Sequence, residues 1–274
     1  MTNVTIAPLV LDGWFLLHQF FRLAPPADSD PSVRAESLQE LQRLLEEWED
    51  LGDGGWTGAF RIVGGGTDLM LVHFRPSLES LGDVEKRLHA HPAGSQLVLT
   101  GDYLSVVELS MYHLTATMVA QAGEAGIEVG SPEWRGMVGE QLTEELEKRY
   151  VKDRLHPKQP EELPYICFYP MDKRRAVGQN WYQLPLEERA AMMRDHGATG
   201  RRYAGRISQV ISGSMGLDDW EWAVTLFGRT PGDFKELIAE MRYDPVSAVY
   251  AEFGSFWVGY RVPSQRVVQE LTEL

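Results

Sequence analysis

Three side chains on successive predicted elements have the types and spacing for redox chemistry: Tyr169 in YPMDKRR, His196 in AMMRDHG and Gln209 in GRISQVISG. A single histidine is a usual axial ligand for haem iron, and a tyrosine near it can carry a radical. The trio therefore points to a haem-type redox site. Each residue also has a plainer reading. His196 could be a buried imidazole bonded to a carbonyl or closing its helix, Tyr169 a wet strand-end phenol, and Gln209 a satisfied core amide.

The elements that must position them are short. Pro185–His196 reads as a helix in which Leu186, Ala190, Met193 and His196 form one stripe, turning the imidazole inward at the last turn with Gly197 as C-cap. Arg202–Ser212 reads as a strand with Tyr203, Gly205, Ile207, Gln209 and Ile211 on one face. An amide buried there without partners costs about 1–3 kcal/mol. Leu163–Tyr169 reads as a strand with Tyr165, Cys167 and Tyr169 on one face, stopped by Pro170. Just beyond, Met171 and Lys173 add a thioether and a cation to the phenol. Cations gather at Lys148–Arg154 and at Lys173–Arg175, which suits an anionic small ligand or a plain surface cluster equally. No histidine pair has zinc-site spacing. The glycine runs at Gly64–Gly66 and Gly213–Gly216 are followed by strands, so no nucleotide role is assigned, and Trp181, Trp220 and Trp222 read as core and interface filler.

The chain has 274 residues, 43% of them hydrophobic and 24% charged, enough for two domains or one large compact unit. A net charge of −14 argues against nucleic acid as a partner. Much of the acid lies between Glu36 and Asp53, on what reads as a solvated helix face. No apolar run is long enough to span a bilayer, and the N-terminal stretch lacks the features of a secretory leader. With Cys167 as the single cysteine there is no internal disulfide, and the expected location is the cytoplasm.

Element order repeats along the chain. Strands are expected at Val10–Arg22, Thr57–Val63, Asp68–Phe74 and Tyr103–His113, with helices at Pro31–Glu49 and Leu78–His89. The second half is expected to run strand Leu163–Tyr169, helix Pro185–His196, strands Arg202–Ser212 and Trp220–Phe227, helix Pro231–Met241 and strand Val246–Trp257. That is βαββαβ twice, so the expected class is α+β: two ferredoxin-like units forming a dimeric α/β barrel within one chain. Residues 1–121 and 161–274 would be the units. Residues 122–160 would connect them, irregular over Gly126–Gly136 and helical around Glu140–Tyr150.

YPMDKRR, NWYQLPLEERAAMMRDHGATGRRYAGRISQVISGSMGLDDWEWAVTLF and EMRYDPVSAVYAEFGSFWVG together resemble the coproheme decarboxylases, haem-synthesis members of the chlorite dismutase-like superfamily. The resemblance is dense over Tyr165–Gly259 and thin before Ser105. It implies that His196 is the axial iron ligand and Tyr169 the radical-forming catalytic residue. It implies that Tyr169, Pro170, Met171, Asp172 and Lys173 line the porphyrin, Lys173 reaching a propionate, and that Gln209 lies over the distal face of the iron. Ser247 would bond a propionate, and an upstream arginine, Arg154 or Arg149, would hold one too. Fe-coproporphyrin III would be both substrate and redox centre, haem b the product and hydrogen peroxide the oxidant. A homopentamer is implied, with room for transient contact with a ferrochelatase. Chlorite-splitting relatives carry an arginine over the iron, able to hold an anionic oxidant; neutral Gln209 favours the decarboxylase. A chlorite dismutase-like or dye-decolorising-type haem peroxidase, a non-enzymatic haem-binding protein and a cofactor-free interaction module are the competing expectations.

Overall fold

The computed structural model describes residues 6–23 and 31–272; the first five residues of the stretch read for a leader lie outside them. The first half contains β1 (Val10–Leu23), α1 (Pro31–Trp48), β2 (Trp56–Ile62), β3 (Leu69–Arg75), α2 (Leu78–His89) and β4 (Leu97–Ser110). Three helices follow: α3 (Tyr112–Ala125), α4 (Pro132–Glu147) and α5 (Arg149–Leu155). The second half contains β5 (Tyr165–Lys173), α6 (Leu186–Arg201), β6 (Ile207–Gly213), β7 (Trp222–Gly228), α7 (Pro231–Met241), α8 (Pro245–Ala248), β8 (Ala251–Phe253), β9 (Trp257–Arg261) and α9 (Val267–Thr272). No helix among the described residues is long and apolar enough to cross a membrane.

All strand pairs are antiparallel. Their order is β4-β1-β3-β2 in the first half and β9-β5-β7-β6 in the second. Because β2 also pairs with β9 and β4 with β6, the hydrogen-bonded order of these eight strands closes on itself, and β8 continues along β5 beyond β9. Closure removes the free edges that an open sheet would expose.

One face of the ring is a solid aromatic core. Trp14, Phe20, Trp56, Phe60, Phe74, Tyr103, Phe168 and Phe227 pack together with aliphatic residues, and Trp257 leans on them from β9. Trp56 stacks on Phe74 at 4.3 Å, and His18 Nε2 meets Thr225 Oγ1 at 3.0 Å within the same layer. The interior of an eight-stranded ring is just wide enough for side chains or one small ligand. Here side chains fill it, so room for a large ligand has to lie on the outer face, beneath the helices.

The connection is more helical than its composition suggests. The strand expected over Tyr103–His113 ends at Ser110, and α3 begins at Tyr112, because Met118 and Ala122 find a buried partner in Trp134 of α4 while the Thr115 hydroxyl accepts the Leu9 N–H. Gly126, with φ +70°, ends α3 in the left-handed conformation that glycine allows. The irregular segment closes at Ser131, whose side chain accepts from the Trp134 N–H and starts α4 five residues earlier than the expected end at Gly136. Instead of a single helix through Tyr150, the chain breaks at Lys148 and resumes as α5. Val151 and Leu155 then seat α5 on Leu11 of β1, and a Cβ on Gly13 would stand 2.1 Å from the Leu155 carbonyl oxygen. Trp56 Nε1 donates to the Pro157 carbonyl at 2.7 Å, fastening the chain beyond α5 to β2.

The two halves join through few backbone pairs, and glycine stands at both junctions: Ile62↔Gly259 and Val106↔Gly213. A Cβ on Gly259 would lie 2.2 Å from the Arg61 carbonyl oxygen. Gly259→Val is therefore expected to lower stability by about 1–3 kcal/mol through overpacking, read as a lower urea midpoint with an unchanged m-value.

Candidate functional site

Helices cover the outer face of both halves, but they do so differently. In the first half Phe21, Ala59, Leu69 and Leu71 are sealed by Leu38, Leu41, Leu44, Leu45 and Trp48 of α1 and by Val84 and Leu88 of α2. In the second half α7 packs Phe234, Leu237 and Met241 onto Cys167, Tyr169, Val224 and Leu226. The second helix, α6, does not close the rest. Its buried residues are Leu186, Arg189 and Ala190, all in the first two turns, and nothing from Ala191 to Gly200 is buried. On the sheet opposite, Tyr165, Met171, Gln209 and Ile211 stay only partly buried. The strip between the second part of α6 and the outer face of β5, β6 and β7 is therefore incompletely sealed and forms a shallow groove, with Tyr169 and Lys173 buried beneath it.

His196 lies on the helix wall of this groove. It is not at a helix end: α6 continues five residues further, through Gly197, which is not its C-cap, to a right-handed cap at Arg202. The left-handed glycine comes later, at Gly205 (φ +78°), in the turn before β6. The extra turns are held from outside, by contact with α7 and by Asp244. Asp244 Oδ2 meets His196 Nδ1 at 2.9 Å, while its Oδ1 accepts the Ser247 N–H and caps α8. Burial works against the Asp244 carboxylate, but the His196 bond and charge, together with the Ser247 and Val246 N–H groups, hold its pKa below the ordinary value. With Nδ1 engaged, Nε2 makes no hydrogen bond among the described residues. A carboxylate on one ring nitrogen and a free second nitrogen is the arrangement that orients a metal-binding imidazole. No cluster of three or more His, Cys, Asp or Glu forms among the described residues, so what the groove offers an iron is one imidazole. That suits an iron whose remaining ligands come with a porphyrin.

The sheet floor carries the other two predicted residues. Register sets Tyr169, Val224 and Ile211 in one row and Cys167, Leu226 and Gln209 in the next. Two strand spacings and a two-residue offset separate Tyr169 from Gln209 by roughly 12 Å. Gln209 Oε1 lies 3.8 Å from where a Cβ on Gly200 would sit, one helical turn beyond His196. Tyr203 and Gly205 do not share its strand, which starts at Ile207 because residues 203–206 form turns. Tyr169 stacks on Phe256 at 4.5 Å and meets Phe253 at 5.8 Å. Burial pushes its pKa well above that of free tyrosine, the neighbouring Cys167 adds to the effect, and Arg242 opposes it. Burial also raises the Cys167 thiol to about 12, which keeps it protonated.

Pro170 does not stop the ladder; β5 continues to Lys173. Its carbonyl accepts from Gly254, so its missing N–H points to the same side, at the gap between β9 and β8, where no ladder bond is lost. The longer strand puts Met171 and Lys173 on the groove face with Tyr169. The side chains of Pro170 and Asp172 turn to the other face, where the Asp172 carboxylate accepts the Glu221 N–H at 2.7 Å. The strand expected over Val246–Trp257 is instead α8, β8 and the start of β9, which places buried Ser247 on a helix beside Asp244.

Lys173 is the electrostatic anomaly. It is buried at 7% exposure; its ammonium sits 4.6 Å from the Trp181 ring centre and 3.5 Å from the Val246 carbonyl oxygen, and no carboxylate pairs with it among the described residues. Burial pushes its pKa down to about 8, against the pull of Asp244 and Glu221. The cations of the other cluster are satisfied nearby: Lys148 by Glu145, Arg149 by Asp153 and Lys152 by Glu147. Arg154 is exposed near the end of α5, and no contact among the described residues ties it or Arg149 to the groove. A buried cation lacking an anion is what a carboxylate-bearing ligand would complete.

Asp244 was missed from sequence. Its only local signal is Asp before Pro at the start of a helical turn, which marks a helix cap and nothing more.

The chain matches the family model described as chlorite dismutase over residues 34–262. It is 40% identical over 253 residues to proteins named coproheme decarboxylase from two strains of Thermus thermophilus, covering 91% of this chain and 90% of each of those. A solved structure described as a heme-binding protein from Thermus thermophilus superposes with TM-score 0.80 at 37% identity, over 98% of this chain and 99% of that one. A chlorite dismutase variant from Candidatus Nitrospira defluvii superposes with TM-score 0.69 at 18% identity over 95% of each chain, which shows a shared fold.

Lys173 yields a stability prediction with a defined sign. Its pKa falls from 10.5 unfolded to about 8 folded, so between those values the unfolded chain binds more protons and stability should rise with pH. Lys173→Met should remove that rise and stabilise the unliganded protein at pH 7 by about 1–3 kcal/mol. Urea unfolding across pH 7–10 measures both effects; a destabilised, pH-independent variant would show that the ammonium is already well satisfied.

Proposed function

This chain belongs to the chlorite dismutase family, and from that premise we propose that it is a coproheme decarboxylase, an oxidoreductase that converts two propionates of iron coproporphyrin III into the vinyl groups of haem b. The observation that carries the proposal is the groove left open in the second half alone, with an Asp244-backed imidazole on one wall and Tyr169 and Lys173 on the other. We read the repeated βαββαβ order as two ferredoxin-like units closing a barrel, residues 1–121 structural, 122–160 connecting, and 161–274 holding the porphyrin. A cytoplasmic setting, a homopentameric assembly and transient contact with a ferrochelatase belong to the same proposal, by family resemblance.

For each propionate the balance is R–CH2–CH2–COO⁻ + H2O2 + H⁺ → R–CH=CH2 + CO2 + 2 H2O, with peroxide as the two-electron oxidant. The bound iron porphyrin supplies the oxidising power. His196 would hold the iron through Nε2, and Asp244 would fix the ring's tautomer and orientation. Tyr169 would take one hydrogen atom from the propionate carbon next to the ring. Its phenol is held protonated by burial, so losing an electron from it requires losing the proton as well. The rings of Phe253 and Phe256 exclude water from one side of that phenol. Lys173 and Ser247 would bind propionate oxygens, and the Lys173 ammonium would gain the anionic partner it lacks. Met171 would pack on the macrocycle, whereas Pro170 and Asp172 can line it only through their backbone. Gln209 would present a neutral amide to the bound porphyrin, and because an amide does not hold an anionic oxidant as a cation would, chlorite chemistry is disfavoured. Arg154 stays the preferred upstream arginine, with Arg149 as its alternative.

Tyr169→Phe should bind coproheme with near-normal affinity yet form no divinyl product when peroxide is added, as read by mass spectrometry. Normal turnover by this variant would remove Tyr169 from the mechanism. His196→Ala should lose the histidine-ligated haem absorption spectrum, and an unchanged spectrum would point to a different ligand.

A further inference from the structure

Near Tyr169 lies a second cation, solvent-exposed and without an anionic partner among the described residues. Arg242 follows α7 directly and caps it; its guanidinium carbon sits 3.9 Å from the Phe253 ring centre. Phe253 in turn lies 5.8 Å from the Tyr169 ring and pairs with Met171 across β8 and β5, so the guanidinium stands over the groove face at Tyr169. The arginines around it behave differently. Arg175 pairs with Glu221, Arg202 with Glu240, and Arg206 with Asp233 and Glu236. Arg242 makes no ion pair and no side-chain hydrogen bond among the described residues. Asp244, the partner of His196, lies just beyond it in the chain, so a single short segment places a cation at the phenol and a carboxylate behind the imidazole. Stacked on an aromatic face, a guanidinium has its position set while its donor edge stays free, the arrangement that receives a carboxylate with two parallel hydrogen bonds.

Resting on the coproheme reading above, we infer that Arg242 binds the carboxylate of the propionate lying against Tyr169, and so is a specificity-determining residue for a substrate carrying propionates that the product lacks. Lys173 serves a different carboxylate. Its ammonium sits at the Val246 carbonyl and the Trp181 ring, whereas Arg242 sits on Phe253. The product keeps no carboxylate at the position next to Tyr169, so the contact is present with substrate and absent with product. Release of haem b would thus be built into the site.

Equilibrium binding tests this without turnover. Ferric coproheme and haem b are titrated into the wild-type protein and into Arg242→Gln, followed by absorbance. Arg242→Gln should weaken coproheme about ten- to a hundred-fold, the span expected for losing a charge-assisted pair, and change haem b affinity less than about two-fold, a fraction of such a pair. Equal weakening of both porphyrins, or undiminished coproheme affinity, would overturn the inference. Phe253→Leu separates anchoring from mere packing. It removes the ring but keeps the guanidinium, so it should leave the coproheme-to-haem b preference largely intact; if it erases the preference as fully as Arg242→Gln, Arg242 is only a clamp. Should Arg242→Gln fail to fold, Arg242→Lys carries the test, with a smaller loss confined to coproheme expected and an equal loss for both overturning it. Peroxide turnover of wild-type protein is scored separately: bound coproheme that never yields haem b would defeat the decarboxylase reading, while the binding ratio would still report on Arg242.

Discussion

A sheet face under helices must either be sealed by apolar side chains or leave a space that something else fills, because protein interiors are close-packed. That constraint separates the two halves of this molecule. Both halves set two helices over the outer face of four strands, yet α1 brings leucines and a tryptophan to the sheet, while α6 brings alanine, methionine, histidine and glycine. Helix α6 packs mainly on α3, α7 and α8, and at Gly200 it approaches Met241 of α7 and the Gln209 side chain without filling the layer. The polar groups of the proposed ligand set can then face a common space instead of each other. The aromatic filling of the ring's interior makes the same point from the other side, since it leaves the outer face of the second half as the place with room.

The groove is held open at an electrostatic cost. Lys173 is buried with only a carbonyl and an aromatic face for company, and Arg242 is left over Phe253 with no anion among the described residues. A protein under selection for stability alone would replace or pair a buried cation such as Lys173, whereas Arg242, exposed at the end of α7, carries no such cost. Kept as they are, they give the unliganded site a positive lining in a chain whose net charge is −14. Attraction for a polycarboxylate is therefore local, and it coexists with a surface that repels anions in general. His196 and Asp244 form the opposite kind of contact, a hydrogen-bonded pair that fixes the orientation of the ring.

Where local chemistry decides structure, sequence and coordinates agree closely. Helices α2 and α7 fall on Leu78–His89 and Pro231–Met241 as expected, since each is started by a capping box, at Ser77 and at Thr230. The alternation of Tyr165, Cys167 and Tyr169 assigns a shared face correctly, because side-chain direction in a strand is a local property. Disagreement arises where distant segments intervene. Gly197 looks like a helix stop, but Asp244 and Met241, more than forty residues away, support the turns beyond it. Pro170 looks like a strand stop, but its missing N–H falls at the gap between β9 and β8 and costs no hydrogen bond. Val246–Trp257 reads as one strand, yet the Asp244 cap turns its start into a helix.

The amino-acid sequence by itself determined the run of strands and helices, the shared face of Tyr165, Cys167 and Tyr169, and, through the motif string, the family. Tertiary structure alone decided which half keeps an open face, which acid backs the imidazole, and which of the described cations remain without an anion. The reason is physical: periodicity and capping act between residues a few positions apart, whereas enclosure and charge pairing depend on segments that only closure of the strand ring brings together.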